Sequence, residues 1–586
     1  MSVDTRAATV PVAEALVAQL ESYGVRHIFG TCGHTNIALL DAIGRSRIDF
    51  VIARHEQAAA HAADGYARAT GRVGVVLLHV GPGMMNAVTG VATAALDSVP
   101  MVAIAGDVPS YMHGRHPHQE VNLHADADQT AIFRPFVKRA WHAHRVEDLP
   151  RFTERAFWTA TSGRPGATLL NVPMDLFSRP LPARLAGAYP LTADAGPPPI
   201  APDVAERIAA MLVGAERPLI YLGGGLRPGP GRQALLSLAE HLDVPIAHSL
   251  MAKGALPDRH PLVMGMPGFW GLEVTNTYAL EADVVLAVGT RFAETDASSW
   301  DPAYTWRFPP SRLIQIDIDP AEIGRNYPVE IGVVADASSA VRAVAEAAIA
   351  LRIEPVTRPA LREQIRAART ALFEASAERG RDEQFPLRPE RILTDLRETL
   401  PPDTVLVTDV GWNKNGVAQC YPLPPEGRFI TPGGLSTMGF GPAAAVGVQL
   451  AMPDRTVVAL VGDGGMSAQL PAVPMAVEQG LPVLFVVMNN RAHGTIADLQ
   501  AANFGTSYGC EFRDPQGRPY SPDFAAYARA CGADGYTVAE AADLRAALRE
   551  ADRRRRPAVL DVPMVNEPVP TPGHWNIKDI YRGVFE

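Results

Sequence analysis

The stretch GDGGMSAQLPAVPMAVEQGLPVLFVVMNN, residues 462–490, decides the fold of this chain. The apolar run VVALV at 457–461 is typical of a buried parallel strand, and a second such run at 482–488 leads into Asn489-Asn490. A helical stretch lies between them, so both polar ends fall at the carboxyl edge of neighbouring strands, where open α/β sheets bind ligands. A carboxylate, an amide oxygen and glycine N–H groups suit a magnesium ion that carries a diphosphate.

Composition excludes several classes of protein. The length of 586 residues predicts three or four domains of about 150 residues each. The net charge of −10 argues against nucleic acid as the main partner. The four cysteines lack CxxC spacing and predict neither disulfides nor zinc. We expect a cytoplasmic protein without membrane partners, because no signal peptide or run of 18 apolar residues occurs.

Strands, turns and helices alternate along most of the chain, which predicts parallel sheets with helices on both faces. We expect one unit at 9–185, a second at 203–350 and a third at 387–565, followed by a C-terminal tail at 566–586. A proline-rich linker at 189–202 and a polar helical connector at 351–386 separate the three units. The sequence therefore predicts the α/β class for the whole chain.

A second candidate site lies in the first unit. A predicted strand at 49–53 runs into Arg54-His55-Glu56-Gln57, which opens an alanine-rich helix, and the next predicted strand ends before Gly81-Pro82-Gly83. Together with the 462–490 stretch, these motifs resemble those of thiamine-diphosphate enzymes. Nearly the whole chain resembles the acetolactate synthase branch of that superfamily. The resemblance implies three doubly wound parallel-sheet domains, namely a pyrimidine-binding, a central Rossmann-like and a diphosphate-binding domain.

The resemblance also implies the cofactors and their contacts. Glu56 would activate the cofactor by a hydrogen bond to the pyrimidine ring nitrogen N1′. The side chains of Asp463 and Asn490 and the carbonyl of Ala492 would bind Mg²⁺. Met438 would hold the cofactor in its bent shape, and the carbonyl of Ser436 would accept a hydrogen bond from the cofactor's amino group. Further contacts to thiamine diphosphate are implied for Val410, Gly411, Trp412, Asn413, Gly434, Gly462, Gly464, Gly465, His493 and Gly494.

In such relatives the central domain holds FAD, so the resemblance implies FAD here as well. The implied contacts are Arg164, Gly223, Gly224, Gly225, Lys253, Met266, Gly289, Thr290, Arg291, Asp317 and Asp336. By itself, the glycine triplet after a predicted strand lacks the GxGxxG spacing of dinucleotide sites. This absence weighs against the rival class, a nicotinamide dehydrogenase.

The expected active-site lining departs from acetolactate synthase at three positions. His34 replaces a glycine, His79 belongs to a pair that replaces Thr-Ser, and His118 replaces the Phe before Gln119. The histidines resemble those of benzaldehyde lyase and cyclohexane-1,2-dione hydrolase, and imidazoles can move protons at substrate oxygens near neutral pH. We therefore take Glu56, His34, His79 and Gln119 as the candidate catalytic residues.

A zinc site is a further possibility that the sequence raises. His113, His116, His118 and His124 cluster with Asp126, but their spacing fits no standard zinc ligand set. We instead expect this segment to form a polar loop at the mouth of the pocket.

The sequence predicts an enzyme dependent on thiamine diphosphate and Mg²⁺ that makes or cleaves a C–C bond next to a carbonyl. Its small-molecule substrate would be a 2-oxo acid or a 1,2-diketone. The alternatives are a cyclic 1,2-diketone hydrolase and a benzaldehyde-lyase-like carboligase. An inactive regulatory homologue is disfavoured, because Glu56, Asp463 and Asn490 are all present.

Two further expectations concern the acceptor and the assembly. An imidazole at residue 34 leaves less space for two pyruvate-sized groups, so we expect weak acetolactate formation. The resemblance also implies a homodimer or homotetramer, since in relatives the Glu of one subunit meets the diphosphate site of another.

Overall fold

Three six-stranded parallel sheets, one in each domain, form the frame of the chain. They are seen in a computed structural model that describes residues 8–121, 128–192, 196, 199–352 and 354–567. Helices flank the sheets, and the predicted α/β class with three parallel-sheet domains is confirmed. The domain limits 9–185, 203–350, 387–565 and 566–586 stay predictions, and residues 568–586 of the tail lie outside the described residues.

The strands lie close to the predicted runs, although their ends shift by one or two residues. They are β1 (Thr9–Pro11), β2 (His27–Gly30), β3 (Asp49–Ile52), β4 (Gly74–Leu78), β5 (Met101–Asp107), β6 (Arg139–His142), β7 (Ala167–Pro173), β8 (Pro180–Pro182), β9 (Pro218–Leu222), β10 (Ile246–His248), β11 (Val263–Gly265), β12 (Val284–Val288), β13 (Arg312–Asp317), β14 (Ile331–Val334), β15 (Val405–Thr408), β16 (Arg428–Ile430), β17 (Val457–Gly462), β18 (Leu484–Asn489), β19 (Asp534–Thr537) and β20 (Ala558–Pro563). Strands β1 and β8 form a separate antiparallel pair.

The helices follow the strands in alternation, as the sequence pattern predicts. They are α1 (Val12–Ser22), α2 (Ile37–Gly44), α3 (Glu56–Thr70), α4 (Pro82–Leu96), α5 (Leu149–Thr161), α6 (Met174–Phe177), α7 (Pro202–Gly214), α8 (Pro230–Leu242), α9 (Glu273–Glu281), α10 (Ala337–Leu351), α11 (Pro359–Arg379), α12 (Pro389–Thr399), α13 (Trp412–Cys420), α14 (Phe440–Ala451), α15 (Asp463–Ala468), α16 (Ala472–Glu478), α17 (Gly494–Phe504), α18 (Phe524–Ala530) and α19 (Asp543–Arg554). Among the described residues, no helix combines the length and apolar character that crossing a membrane requires.

The order of the strands creates one crevice in each sheet. The three orders are β3-β2-β4-β5-β7-β6, β11-β10-β9-β12-β13-β14 and β16-β15-β17-β18-β20-β19. In each sheet the chain first moves to one side of the starting strand and then continues on its other side. The crevice therefore opens at the carboxyl ends of β2 and β4, of β9 and β12, and of β15 and β17, where doubly wound sheets bind ligands.

The first and third domains share one apolar core. Helix α3 packs against α14, and glycines let the two backbones approach closely. A Cβ atom on Gly447 would overlap the carbonyl of Ala62, and one on Gly65 would overlap the carbonyl of Ala444. The buried ring of His61 meets Phe440 edge-on in this contact, with a centroid distance of 5.4 Å. Because α3 begins at Glu56, this contact fixes the helix that carries the candidate catalytic carboxylate.

We expect Gly447→Ala to lower the free energy of unfolding by about 1–3 kcal/mol, because an added methyl in a packed helix contact forces the backbones apart. Chemical unfolding followed by circular dichroism measures the change. Gly44→Ala is the matched control, since a Cβ atom there meets nothing within 4 Å. If both variants unfold at the wild-type denaturant concentration, the close contact is not needed for stability.

Candidate active site

Glu56 begins α3, and both of its carboxylate oxygens accept hydrogen bonds. Thr31 Oγ1, just after β2, donates to Oε1 at 2.6 Å, and Asn86 Nδ2, in the second turn of α4, donates to Oε2 at 2.9 Å. The carboxylate is half-buried and lies beside Gly83, where a Cβ atom would come within 3.3 Å of Oε1. The GPG turn therefore leaves room for Glu56, and two donors fix its orientation.

His79 follows β4 and is held at both ring nitrogens. Its Nδ1 lies 2.8 Å from Thr35 Oγ1, and its Nε2 lies 2.8 Å from Gln119 Oε1. With Gln119 as the acceptor, Nε2 carries the proton and Nδ1 accepts from the threonine hydroxyl. The ring packs so closely on Gly33 that a Cβ atom there would overlap it. The structure thus brings together His79 and Gln119, two of the predicted site residues.

The ring of His34 packs next to that of His79. The two rings meet edge-on at 4.7 Å between centroids, and His118 stacks on the other side of His34 at 6.1 Å. Partial burial lowers the pKa of His34, and the neighbouring rings of His79 and His118 lower it further. An exposed and neutral imidazole therefore lies at the carboxyl ends of β2 and β4.

Three oxygen atoms converge at the end of β18. Asn490 Nδ2 donates to Asn566 Oδ1 at 2.8 Å, which turns the amide oxygen of Asn490 toward Asp463 Oδ1 at 3.0 Å and the carbonyl of Ala492 at 3.1 Å. Rotating the amide by 180° would instead let Asn490 Nδ2 donate to Asp463 Oδ1 and to the carbonyl of Ala492, and the amide of Asn566 can rotate to match. In either orientation these three groups lie together, and carboxylate, amide and carbonyl oxygens are the ligands that Mg²⁺ prefers.

The surroundings of Asp463 also suit a ligand. Its second oxygen, Oδ2, is buried without a hydrogen bond from any described residue. Burial raises the pKa of Asp463 to about 6, while backbone N–H groups of the loop act in the opposite direction. A divalent ion at this carboxylate would favour its charged form.

The crevice of the third domain is lined by small residues and helix ends. A Cβ atom on Gly494 would come within 2.8 Å of the Trp412 ring, and one on Gly464 would meet His493 at 2.9 Å and Met438 at 3.1 Å. Helix α13 begins after Gly411, and no side chain caps its start. The first N–H groups of a helix have no partner inside it, and a diphosphate would accept hydrogen bonds from them.

Lys414 is a site residue that the sequence analysis missed. It is buried in α13, and its Nζ donates to Ser436 Oγ at 2.5 Å. Burial lowers the pKa of Lys414 to about 8, although the carboxylates of Asp97 and Asp409 act in the opposite direction. The only signal in the sequence was its place directly after the predicted contacts at 410–413.

Ser436 adopts a left-handed backbone conformation with a φ of 52°. Asp97, at the end of α4, accepts the N–H groups of Gly433 and Gly434. The loop that carries Ser436 and Met438 is therefore anchored to the first domain.

The predicted FAD residues surround the crevice of the central sheet. Gly223 and Gly225 pack against Gly289, which follows the neighbouring strand β12. Arg164 donates to Asp319 and to Glu322, the latter at 2.7 Å. The remaining residues of this set have other partners or are buried. Lys253 forms a buried ion pair with Asp258 at 2.6 Å, Arg291 donates to the carbonyl of Leu96, Asp317 accepts from the N–H of Asp319, Asp336 caps α10, and Met266 and Thr290 are buried.

Comparison with known proteins gives matches along the whole chain. The model of the thiamine pyrophosphate enzyme N-terminal TPP binding domain matches residues 10–132, the central-domain model matches 205–344, and the C-terminal TPP binding domain model matches 409–562. The probable acetolactate synthase large subunit of Methanocaldococcus jannaschii is 34% identical, over 94% of this chain and 91% of that protein. The chain belongs to the acetolactate synthase family of thiamine pyrophosphate enzymes.

Other members of this family match equally broadly. The acetolactate synthase isozyme 3 large subunit of Escherichia coli is 33% identical over 92% of each chain. The acetolactate synthase large subunit of Parasynechococcus marenigrum is 34% identical over 94% of this chain and 87% of that protein. The predicted enzyme class, dependent on thiamine diphosphate (also called thiamine pyrophosphate), is confirmed. These matches favour the acetolactate synthase branch over the diketone hydrolase and benzaldehyde lyase alternatives.

Glu56→Gln should slow the exchange of the cofactor's C2 proton by about 10²–10⁴, the usual contribution of a positioned acid or base. Thiamine diphosphate binding should stay at the wild-type level, because the amide keeps the size of the side chain. Proton exchange followed by NMR measures the rate. Glu478→Gln is the matched control, since Glu478 pairs with the neighbouring Arg54 at the surface. An unchanged exchange rate in Glu56→Gln would remove Glu56 from this role.

Proposed function

We propose that this chain takes a 2-oxo acid as donor and joins the fragment left after loss of CO₂ to a second carbonyl compound. This is the class of reaction named for its relatives, the acetolactate synthases. The observation that supports it most is the clamped carboxylate of Glu56, whose two oxygens accept from Thr31 and Asn86. When bound, thiamine diphosphate supplies a carbon centre that stabilises negative charge next to a carbonyl.

We propose Glu56 as the group that holds a proton at the pyrimidine side of the cofactor. Thr31 and Asn86 keep its carboxyl in one orientation, so a proton shared with the cofactor ring stays at one oxygen. Asp463, Asn490 and the carbonyl of Ala492 would hold Mg²⁺, supported by the three converging oxygens. The start of α13, with Val410 to Asn413, would bind the diphosphate, and Met438 and Ser436 would orient the cofactor.

His34 is the group proposed to move a proton at the substrate oxygen. Among the described residues, its ring forms ring contacts with His79 and His118 but no hydrogen bond, and it is exposed at the crevice. Because its pKa is lowered, His34 stays neutral to a lower pH than a free histidine. Both nitrogens of His79 are already used by Thr35 and Gln119, so we propose that His79 and Gln119 position His34.

We expect slow acetolactate formation from pyruvate alone and faster turnover with an acceptor whose oxygen needs a proton donor. His34→Gly should lower that turnover by about 10²–10⁴ while thiamine diphosphate affinity stays constant. His79→Thr should lower it less, because it acts through His34. Product analysis with pyruvate, with pyruvate plus an aldehyde, and with a cyclic 1,2-diketone measures these rates.

His116→Gly is the matched control for the loss of an imidazole, since His116 is exposed in the loop that also carries His118 and has a φ of 53°, which glycine readily adopts. Fast acetolactate synthesis by the wild type, unaffected by His34→Gly, would leave the histidines without a role in the reaction. Diketone hydrolysis as the fastest reaction would contradict the proposed ligation.

We also propose that FAD binds the central domain. Gly223 to Gly225 and Gly289-Thr290 flank the point where the strand order of this sheet reverses, which is the usual nucleotide crevice. Arg164 and Arg291 reach this region from either side, and Asp317 ends the next strand β13. The visible absorbance of the purified protein tests this proposal, because bound flavin is yellow.

A homodimer or a homotetramer built from such dimers is the proposed assembly. Among the described residues of one chain, no hydrogen bond joins Glu56 or its neighbours to the oxygen cluster of the third domain. Large apolar side chains are exposed beside both half-sites, including Ile37 and Met85 in the first domain and Leu435, Met438 and Ile496 in the third. A second chain that covers these side chains would bring its own half-site to each crevice.

Mixing two inactive variants tests the shared site. Glu56→Gln and Asp463→Ala each damage one half-site, so a mixed dimer keeps one intact site formed by the undamaged halves of both chains. Random pairing of co-expressed chains should restore about a quarter of the wild-type activity. Each variant expressed alone is the control, and light scattering gives the mass of the assembly. No recovery in verified mixed dimers would place each site within a single chain.

A further inference from the structure

A cluster of three metal-ligand side chains lies in the first domain, away from the Glu56 carboxylate. Asp107 ends β5, His142 ends β6, and His113 lies in the loop after β5. One ligand atom from each comes within 4.8 Å of the others. Of the histidine group that the sequence analysis noted, only His113 takes part. His118 instead stacks on His34, and His124 and Asp126 lie outside the described residues.

The histidine nitrogens in this cluster lack hydrogen bonds. Nε2 of His113 and Nε2 of His142 are both buried without a partner among the described residues. His142 Nε2 lies 3.9 Å from Asp107 Oδ2, which is too far for a hydrogen bond. The two rings are nearly perpendicular, at 88° with 5.4 Å between centroids. Buried polar atoms are rarely left unpaired, so two of them beside one carboxylate require an explanation.

Each carboxylate oxygen of Asp107 accepts a hydrogen bond, as is usual for a metal ligand. Oδ1 accepts the N–H of Val108 at 2.7 Å, and Oδ2 accepts from Asn171 Nδ2 at 2.6 Å. Asn171 in turn accepts from Gln129, whose amide oxygen accepts the N–H of Gly81. Such outer contacts orient metal ligands and are part of their sites.

Glu120 lies in the same loop as His113. Both of its carboxylate oxygens are buried without a hydrogen-bond partner of adequate geometry in the described part of the chain, and the backbone N–H of His116 is a donor near them. These oxygens lie outside the group of ligand atoms within 4.8 Å of one another, which holds Asp107, His113 and His142.

We propose that Asp107, His113 and His142 bind a divalent transition-metal ion of the Zn²⁺ class. Two imidazoles and a carboxylate are a common ligand set for such ions. Binding would draw the ligand atoms from their present separation to roughly 3.4 Å from one another, the spacing of a tetrahedral zinc site. The site is distinct from the all-oxygen cluster of Asp463, Asn490 and Ala492, which suits Mg²⁺.

The bound ion would fix a loop that the sheet alone does not hold in place. It would tie the loop carrying His113 and Glu120 to the ends of β5 and β6. Gln119, the neighbour of Glu120, contacts His79 at 2.8 Å. We therefore assign the ion a structural role in positioning Gln119, and the inference is independent of which reaction the enzyme catalyses.

Titration of the untagged, chelator-treated protein with ZnCl₂, in excess Mg²⁺ and thiamine diphosphate, tests the site. We expect one Zn²⁺ per chain by calorimetry and elemental analysis, and a higher unfolding temperature with the metal. His113→Ala and His142→Ala should each weaken binding by about 100-fold or more, and Co²⁺ should give visible absorption bands that are lost in the same variants.

Two matched controls test whether other histidines bind the Zn²⁺ ion. His144→Ala removes an exposed ring stacked on His142 at 4.8 Å between centroids, and His34→Ala removes an imidazole of the active-site crevice. Both should bind Zn²⁺ like the wild type. Circular dichroism and retained thiamine diphosphate verify that the variants fold. The proposal is overturned if wild-type protein binds no Zn²⁺ beyond the amount bound by His113→Ala/His142→Ala, or if His34→Ala alone abolishes binding.

Discussion

The contact between α3 and α14 is the constraint on which the rest of the molecule depends. Helix α3 has its first residue, Glu56, in the crevice of the first sheet, and its middle is pressed against the third domain through Gly65 and Gly447. The two domains consequently share one apolar core. Thr31 and Asn86 orient the Glu56 carboxylate inside the first domain, and the α3–α14 contact fixes the helix of Glu56 against the third domain. Packing far from Glu56 therefore sets where its helix stands relative to the third domain.

The crevices of the first and third domains are built by different physical means. Around Glu56 the polar groups are satisfied, since each carboxylate oxygen has a donor. Around Asp463 they are not, since its Oδ2 is buried without a hydrogen bond from any described residue. The first arrangement fixes the orientation of a carboxylate, and the second leaves a buried carboxylate oxygen that a cation would stabilise.

The sequence allowed the fold and the thiamine-diphosphate enzyme class to be predicted because their signals are local. An apolar run followed by Gly462-Asp463-Gly464 indicates the end of a strand to within a few residues. Other contacts of the site join residues that are far apart in the chain. His79 bonds to Thr35 and Gln119, and Lys414 bonds to Ser436. The period of apolar residues along the sequence does not predict such contacts. For the same reason the meeting of His113 with His142 appeared only in the structure, while the spacing of the histidines in the sequence argued against a metal site.

The side chains of Asn490 and Asn566 pair with each other, so the segment after β20 belongs to the packing of the third domain. Asn566 lies beyond β20, outside every strand and helix, and yet its side chain lies 2.8 Å from the amide of Asn490. The stretch just after β20 therefore contacts a residue proposed to hold Mg²⁺. A chain truncated just after Pro563 would keep every strand of its three sheets and still lose this neighbour of the proposed ligand.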